Sequence, residues 1–145
     1  MEPLRVEARI QTHPVHFSMP CRVEVSLTNQ SAQPVLINRR MAVGYRDSLD
    51  REVFAEVFRR GENEVVSQTA LLYQRDPSEA SDYVGLAPGQ MVSNSFDLFE
   101  WYRLPAPGEY EAVFSYRADD SPDGQPQGLL GGIHSSARVP LTIIA

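Results

Sequence analysis

The segment from Tyr83 to Tyr116 carries most of the information on the fold and reads YVGLAPGQMVSNSFDLFEWYRLPAPGEYEAVFSY. Two Pro-Gly pairs divide it, and the pair Pro88-Gly89 combines a fixed φ with a residue that tolerates positive φ, as a type II turn requires. After the second pair, every other residue of the segment is aromatic or small and apolar: Tyr110, Ala112, Phe114 and Tyr116. A period of two places these side chains on one face of a strand.

The segment between the two turns predicts a strand followed by a short helical crossing. Met91 to Leu98 leaves the first turn as a strand. Asp97 is followed three residues later by Glu100, a spacing that resembles a capping box, so Asp97 to Tyr102 is expected to form one helical turn between two sheets. Tyr110 comes directly after a turn at the start of a strand, as the corner tyrosine of immunoglobulin-like domains does.

Other segments of the chain alternate in the same way. Leu4 to Ile10 and Cys21 to Thr28 each place one apolar face against one polar face. Gln11 to Pro20 contains two prolines and is expected to be a loop or a broken edge strand. Val35 to Ile37 follows a cluster of turn-forming residues, which predicts a hairpin with the preceding strand.

The remaining strands are predicted less directly. Val53 to Phe58 suits a strand because valine and phenylalanine favour a pleated surface, although one helical turn over Arg51 to Arg59 is the alternative. Ala137 to Ile144 forms the last strand, and Pro140 indicates that it lies at an edge. The sequence therefore predicts a single all-β domain over residues 1–145, an immunoglobulin-like antiparallel sandwich of two sheets with seven or eight strands and one short helical turn.

Composition limits the classes of function. The chain has 13 basic and 19 acidic residues, and 13 − 19 gives a net charge of −6, which repels phosphate backbones. Nucleic acid is therefore not an expected partner. A membrane is not expected either, because no apolar run approaches the roughly 18 residues that a membrane helix needs. Cys21 is the only cysteine. Together with the charged start MEPLRVEARI it predicts a cytoplasmic protein.

Three segments carry a resemblance to a known family. The segments LTNQSAQPV at Leu27 to Val35, LAPGQ at Leu86 to Gln90 and PGEY at Pro107 to Tyr110 resemble the immunoglobulin-like domain that precedes the catalytic domain in deuterolysin-type, peptidyl-lysine metallopeptidases. The chain is also similar, more weakly, to bacterial intracellular proteinase inhibitors. The first resemblance implies a non-enzymatic accessory or protein-binding module. The second implies the alternative of a cytoplasmic inhibitor that presents a loop to a protease cleft.

Catalytic and cofactor chemistry is not predicted. The chain lacks the H-E-x-x-H motif that a zinc peptidase needs and the G-x-S-x-G motif of a serine hydrolase. His13, His16 and Cys21 leave open an irregular metal site, against the simpler interpretation of surface histidines and a buried thiol. Asp119 to Gly124 resembles the start of a calcium loop, but Leu130 stands where the twelfth-position glutamate should be. No cofactor, metal or catalytic residue is therefore assigned.

Two groups of side chains are candidates for binding a protein partner. The long loop Asp119 to Ser135 ends in an apolar tip, whose candidate contacts are Leu129, Leu130 and Ile133. Trp101 and Tyr102 lie in a short connection, where an aromatic side chain either anchors a partner or closes the core. The partner's identity and the oligomeric state stay open at this level.

Overall fold

Short alternating segments and Pro-Gly turns produce a chain whose regular secondary structure is mostly strands. The structure, a computed structural model, describes residues 2–47, 51–70, 79–118 and 128–145. Within these ranges the strands are β1 (Leu4–Ile10), β2 (Val15–His16), β3 (Arg22–Asn29), β4 (Val35–Asn38), β5 (Val53–Arg59), β6 (Gln68–Thr69), β7 (Tyr83–Leu86), β8 (Met91–Asp97), β9 (Tyr102–Arg103), β10 (Gly108–Tyr116), β11 (His134–Ser135) and β12 (Val139–Ile144). A 3-10 turn (Ala80–Asp82) precedes β7, and one helical turn, α1 (Leu98–Trp101), follows β8.

The first sheet has the order β1-β3-β8, and both pairings are antiparallel. Its central strand confirms the predicted alternation, because one face of β3 is fully buried while the other stays partly exposed. The buried face consists of Val23, Val25 and Leu27, and Cys21 precedes it in the same register. A period of two thus turns a simple sequence pattern into one wall of the core.

The second sheet is built around β10. On one side β10 pairs with β5 over seven residues, and on the other it pairs with β12 and then with β11; β2 adds to β12 in parallel. The predicted inward face of β10 is fully buried. Phe114 in this sheet and Phe96 in the first sheet meet edge to face with ring centroids 6.3 Å apart, which joins the two walls of the core.

This arrangement confirms the predicted all-β, immunoglobulin-like antiparallel sandwich. Eight strands within the described ranges span four or more residues, in agreement with the expected seven or eight. The strand prediction for Val53 to Phe58 is confirmed and its helical alternative is wrong, since β5 pairs with β10 along its whole length. The predicted edge position of the strand that contains Pro140 is only partly correct, because β2 pairs with β12 at Ile143 and Ile144 and leaves Pro140 beyond that pairing.

The local turn predictions are confirmed at atomic detail. Gln90 N donates to Ala87 O at 2.9 Å and Gly89 has a φ of 80°, so Pro88-Gly89 occupies the centre of a turn that needs positive φ at its third residue. The Tyr110 hydroxyl donates to Ala106 O at 2.5 Å, the backward bond of a corner tyrosine. The predicted helical turn is present, and Asp97 caps α1 by accepting from Phe99 N at 3.0 Å; the structure does not show the return bond from Glu100 that would complete a capping box.

The predicted hairpin between Cys21–Thr28 and Val35–Ile37 is wrong. β4 pairs with β7 instead, because β1 and β8 already occupy both edges of β3. The Asn29 side chain directs the change of sheet: its amide nitrogen donates to Gln33 O and to Leu86 O, each at 2.8 Å. These bonds turn the chain out of the first sheet and attach the connection to the end of β7.

Candidate functional site

Both outer edges of the first sheet, those of β1 and β8, lack a neighbouring strand among the described residues, and the edge of β1 also borders a groove. Gln11 N donates to Arg22 O and Gln30 N donates to Pro3 O, both at 2.9 Å, so the odd-numbered residues of this segment bond to β3. Antiparallel strands alternate the direction of their backbone groups, so the even-numbered residues point theirs away from β3. Among the described residues, those outward N–H and C=O groups have no hydrogen-bond partner; they belong to Leu4, Val6, Ala8 and Ile10. Leu4 and Val6 are buried at 2% and 5% exposure, whereas Ala8 and Ile10 are partly exposed, so the accessible part of the edge centres on Ala8 and Ile10.

A groove of about 540 Å³ follows this edge, and we call it the β1 groove. Leu4 to Ala8 form one side, residues 135–139 form the other, and Glu2 and Gln30 lie at one end. The side opposite β1 carries mostly small side chains: Ser135, Ser136, Ala137 and Val139. One side of the β1 groove therefore offers backbone hydrogen-bonding groups of β1. The other side, which we call the wall, consists of small side chains at residues 135–139.

Contacts to β10 and to the segment after β5 hold the wall of the β1 groove in place. Ser136 Oγ accepts from Phe114 N at 3.0 Å, which attaches the wall to the central strand of the second sheet. The Arg138 guanidinium donates to Glu62 O at 2.8 Å and lies 4.3 Å from the centre of the Phe58 ring. These contacts fix the wall internally, so the β1 groove is formed before anything binds.

The solvent face of β1 carries alternating charges at Arg5, Glu7 and Arg9. Arg5 forms an ion pair with Glu7 at 3.0 Å, and both side chains are more than half exposed. Arg9 lies 3.5 Å from Glu24. Exposed pairs of this kind contribute only about 0–1 kcal/mol. These charges consequently stay available to a strand placed beside β1.

A second, smaller cavity lies near α1. This cleft of about 340 Å³ is lined by Phe17, Phe99, Tyr102, Arg103, Leu104 and Ile143. Its lining is mainly apolar. The cleft can accept an apolar group, but it offers little that would orient one.

The structure places the candidate partner contacts Trp101 and Tyr102 mostly inside the core. Their side chains are only 7% and 5% exposed and form part of the core. Tyr45 packs edge to face against both rings. The Tyr102 hydroxyl donates to Gly44 O at 2.5 Å and accepts from Ala55 N at 2.9 Å, so its polar end is also used internally. These contacts fit the alternative interpretation, in which the two aromatics close the core.

The predicted apolar tip is divided between core and surface. Leu129 forms a bridge with Leu36, and Leu130 N donates to Leu36 O at 2.9 Å; both leucines pack partly against the core. Ile133 is 38% exposed and is the most accessible of the three, since both leucines are half-buried. Residues 119–127, including the calcium-like segment, lie outside the described residues. The inhibitor alternative, which needs an extended loop, therefore stays a prediction.

The alternative metal residues have separate roles. His13 Nε2 accepts from Thr142 N at 2.8 Å and covers the outer edge of β12, while His16 Nδ1 lies 3.4 Å from Ala145 O. Burial and, secondarily, the Asp97 carboxylate raise the pKa of the Cys21 thiol to about 12. In the ranges that the structure describes, no group of three or more His, Cys, Asp or Glu side chains is placed to hold a metal ion.

The Cys21 thiol is expected to resist labelling in the folded protein. With a pKa of about 12, only about one thiol in ten thousand is ionised at pH 8, and the thiolate is the reactive form. Titration with a disulfide reagent should show slow reaction without urea and one rapidly reacting thiol in urea. Because the folded pKa is raised, stability from this group is complete at neutral pH and falls as the pH rises from about 9 toward 12. Rapid stoichiometric labelling of folded protein would contradict this burial.

Comparison with protein-family models finds no family that matches this chain, and comparison with curated proteins finds no relative. The resemblance to a metallopeptidase accessory domain thus stays a prediction. No helix in the described part of the chain has the length and apolar character needed to cross a membrane.

Sequence reasoning missed the β1 groove for a definite reason. The alternation of Leu4 to Ile10 correctly predicts a strand, but alternation does not show which neighbours a strand has. The usable signal was the row of charges at Arg5, Glu7 and Arg9, since charged residues are common on exposed edge strands.

Proposed function

We propose that this chain is a non-enzymatic protein-binding module that captures an extended segment of a partner protein along β1. The single observation that carries the proposal is that the outward backbone groups of Leu4, Val6, Ala8 and Ile10 have no internal partner among the described residues and border the β1 groove. An extended peptide supplies the missing N–H and C=O groups at the same two-residue spacing. The partner would become an additional strand of the first sheet.

The shape of the β1 groove supports a peptide over a compact small molecule. The outward groups from Leu4 to Ile10 span six residue steps, or roughly 20 Å at the rise of a strand. The wall at residues 135–139 runs beside this edge, and the contacts of Ser136 and Arg138 already fix it. A preformed site lowers the entropy cost of ordering the protein, so most of the cost falls on the peptide.

The partner is a protein, and the module itself works without a cofactor. The net charge of −6 disfavours nucleic acid as the extended ligand, because a phosphate backbone would be repelled. The single thiol at Cys21 suits a reducing compartment such as the cytoplasm. An accessory role beside a catalytic subunit is the natural use of such a module, since strand addition can attach it to a larger protein.

A proline variant on the open edge tests this function. The Ala8 N–H points outward, so Ala8→Pro removes a donor for the partner without removing a bond to β3. Ser93→Pro is the matched control: Leu98 N donates to Cys21 O, and by the same alternation Ser93 points its N–H away from β3 on the opposite edge of the sheet.

The probe is a phage-displayed library of short random peptides, selected on the wild-type protein. Selected peptides are expected to bind the Ser93→Pro protein as they bind the wild type and to lose about tenfold or more in affinity for Ala8→Pro, which corresponds to about 1.4 kcal/mol. Circular dichroism and thermal unfolding establish that both variants are folded. Equal binding of the selected peptides to the wild-type protein and to folded Ala8→Pro would overturn the proposal.

A further inference from the structure

We infer that the β1 groove selects partner strands whose five central residues run acidic, apolar, basic, apolar, acidic. This inference rests on the proposed strand addition and assigns a chemical class to the partner. Arg5, Glu7 and Arg9 set the charged positions, and the wall at residues 135–139 sets the apolar ones.

The apolar positions of the partner strand follow from which residues of β1 point their backbone groups outward. The residues with outward backbone groups, Val6 and Ala8, have their side chains on the inner face of the sheet. A partner residue directly opposite one of them must place its side chain on the same face. There it meets the wall at Ala137 and Val139, where an apolar side chain of moderate size packs and a charged one would lose water.

The charged positions lie on the other face of the added strand. Partner residues opposite Arg5 and Arg9 face exposed guanidinium groups, and the residue between them faces the exposed Glu7 carboxylate. Opposite charges directly across an antiparallel pair stabilise the pairing, and like charges destabilise it. A peptide with opposite charges at all three positions is expected to bind at least tenfold more tightly at low salt than a peptide with like charges at these positions. The pattern reads the same in both directions, so it selects composition and not strand orientation.

A second copy of this chain fits the pattern less completely. If Val6 pairs with Val6 of a second copy, Arg5 lies opposite Glu7, but Arg9 then lies opposite Pro3. If Ala8 pairs with Ala8, Arg9 lies opposite Glu7, but Arg5 then lies opposite Gln11. Either register leaves one arginine without a carboxylate. A strand of a different protein can satisfy all three positions, so we take it as the occupant.

Charge reversal tests the inference with two synthetic peptides. The matched peptide has the core aspartate-valine-lysine-valine-aspartate, and the reversed peptide has the core lysine-valine-aspartate-valine-lysine. The variant Arg5→Glu/Glu7→Lys/Arg9→Glu reverses the solvent face of β1 while leaving its buried side chains unchanged. Calorimetry should show that the wild type prefers the matched peptide by about tenfold and that the triple variant prefers the reversed peptide. Both preferences should shrink as salt is added.

The outcomes separate this inference from the function on which it rests. If both peptides bind the wild type equally and Ala8→Pro weakens both, the charge pattern is wrong and strand addition stands. If peptide binding is the same for the wild type and folded Ala8→Pro, strand addition itself fails. A concentration-dependent dimer in sedimentation, lost in Ala8→Pro and not dissociated by the matched peptide, would overturn the choice of a partner protein as the occupant.

Discussion

Replacing Glu52 by alanine is expected to destabilise the folded protein by about 3–5 kcal/mol. Glu52 is buried, and its carboxylate accepts from Arg40 Nε at 2.9 Å and from Arg40 Nη2 at 2.7 Å. It also accepts from Ala42 N at 3.0 Å. Alanine would leave a largely buried guanidinium and a buried amide without this acceptor, and the cost of desolvating them would no longer be offset.

Urea unfolding measures this effect, and the chain offers a matched control. Glu24 pairs with Arg9 at 3.5 Å on the surface, so Glu24→Ala removes a carboxylate of the same kind with an expected loss below about 1 kcal/mol. Glu52→Gln should fall between the two alanine variants because its amide oxygen still accepts one bond. A Glu52→Ala protein as stable as Glu24→Ala would show that the pair does not hold the connection into β5.

Replacing Tyr102 by phenylalanine is expected to cost roughly 2–4 kcal/mol. The hydroxyl joins two parts of the core by donating to Gly44 O and accepting from Ala55 N. Phenylalanine keeps the ring and its packing on Tyr45, so the change isolates these two hydrogen bonds. Tyr83→Phe is the control, since the half-buried Tyr83 side chain has no hydrogen-bond partner among the described residues.

The same variant tests whether Tyr102 contacts a partner. If its role is internal, folded Tyr102→Phe protein should bind the selected peptides with the affinity of the wild type once the populations of folded protein are matched. Unfolding in urea gives the stability, and calorimetry below the unfolding transition gives the affinity. Unchanged stability together with weakened binding would restore Tyr102 as a partner contact.

Much of the fold was predictable because it depends on local rules. Period-two alternation identified the inner faces of β3 and β10, since a strand with one buried face has no other arrangement of its side chains. The Pro88-Gly89 turn and the Tyr110 corner were also local, because each uses residues at most four apart. The pairing of β4 was not local: it depends on β1 and β8 having filled both edges of β3.

The candidate site was predicted poorly for the same physical reason. Trp101 and Tyr102 lie in a short connection, and the sequence of a short connection does not show how deeply its side chains are buried. Leu129 and Leu130 resemble a free tip until Leu36 is known to lie beside them. The β1 groove joins two segments about 130 positions apart, and its main feature is a set of backbone groups, which a residue pattern does not display.

Amide hydrogen exchange of β1, with and without the matched peptide, tests strand addition most directly. In the free protein the outward amides of Val6 and Ala8 should exchange faster than those of Glu7 and Arg9, which donate to β3. At saturating peptide, exchange at Val6 and Ala8 should slow by about tenfold or more, because each amide gains an acceptor, while Glu7 and Arg9 serve as internal controls. Bound peptide with unchanged exchange at Val6 and Ala8 would contradict strand addition at β1.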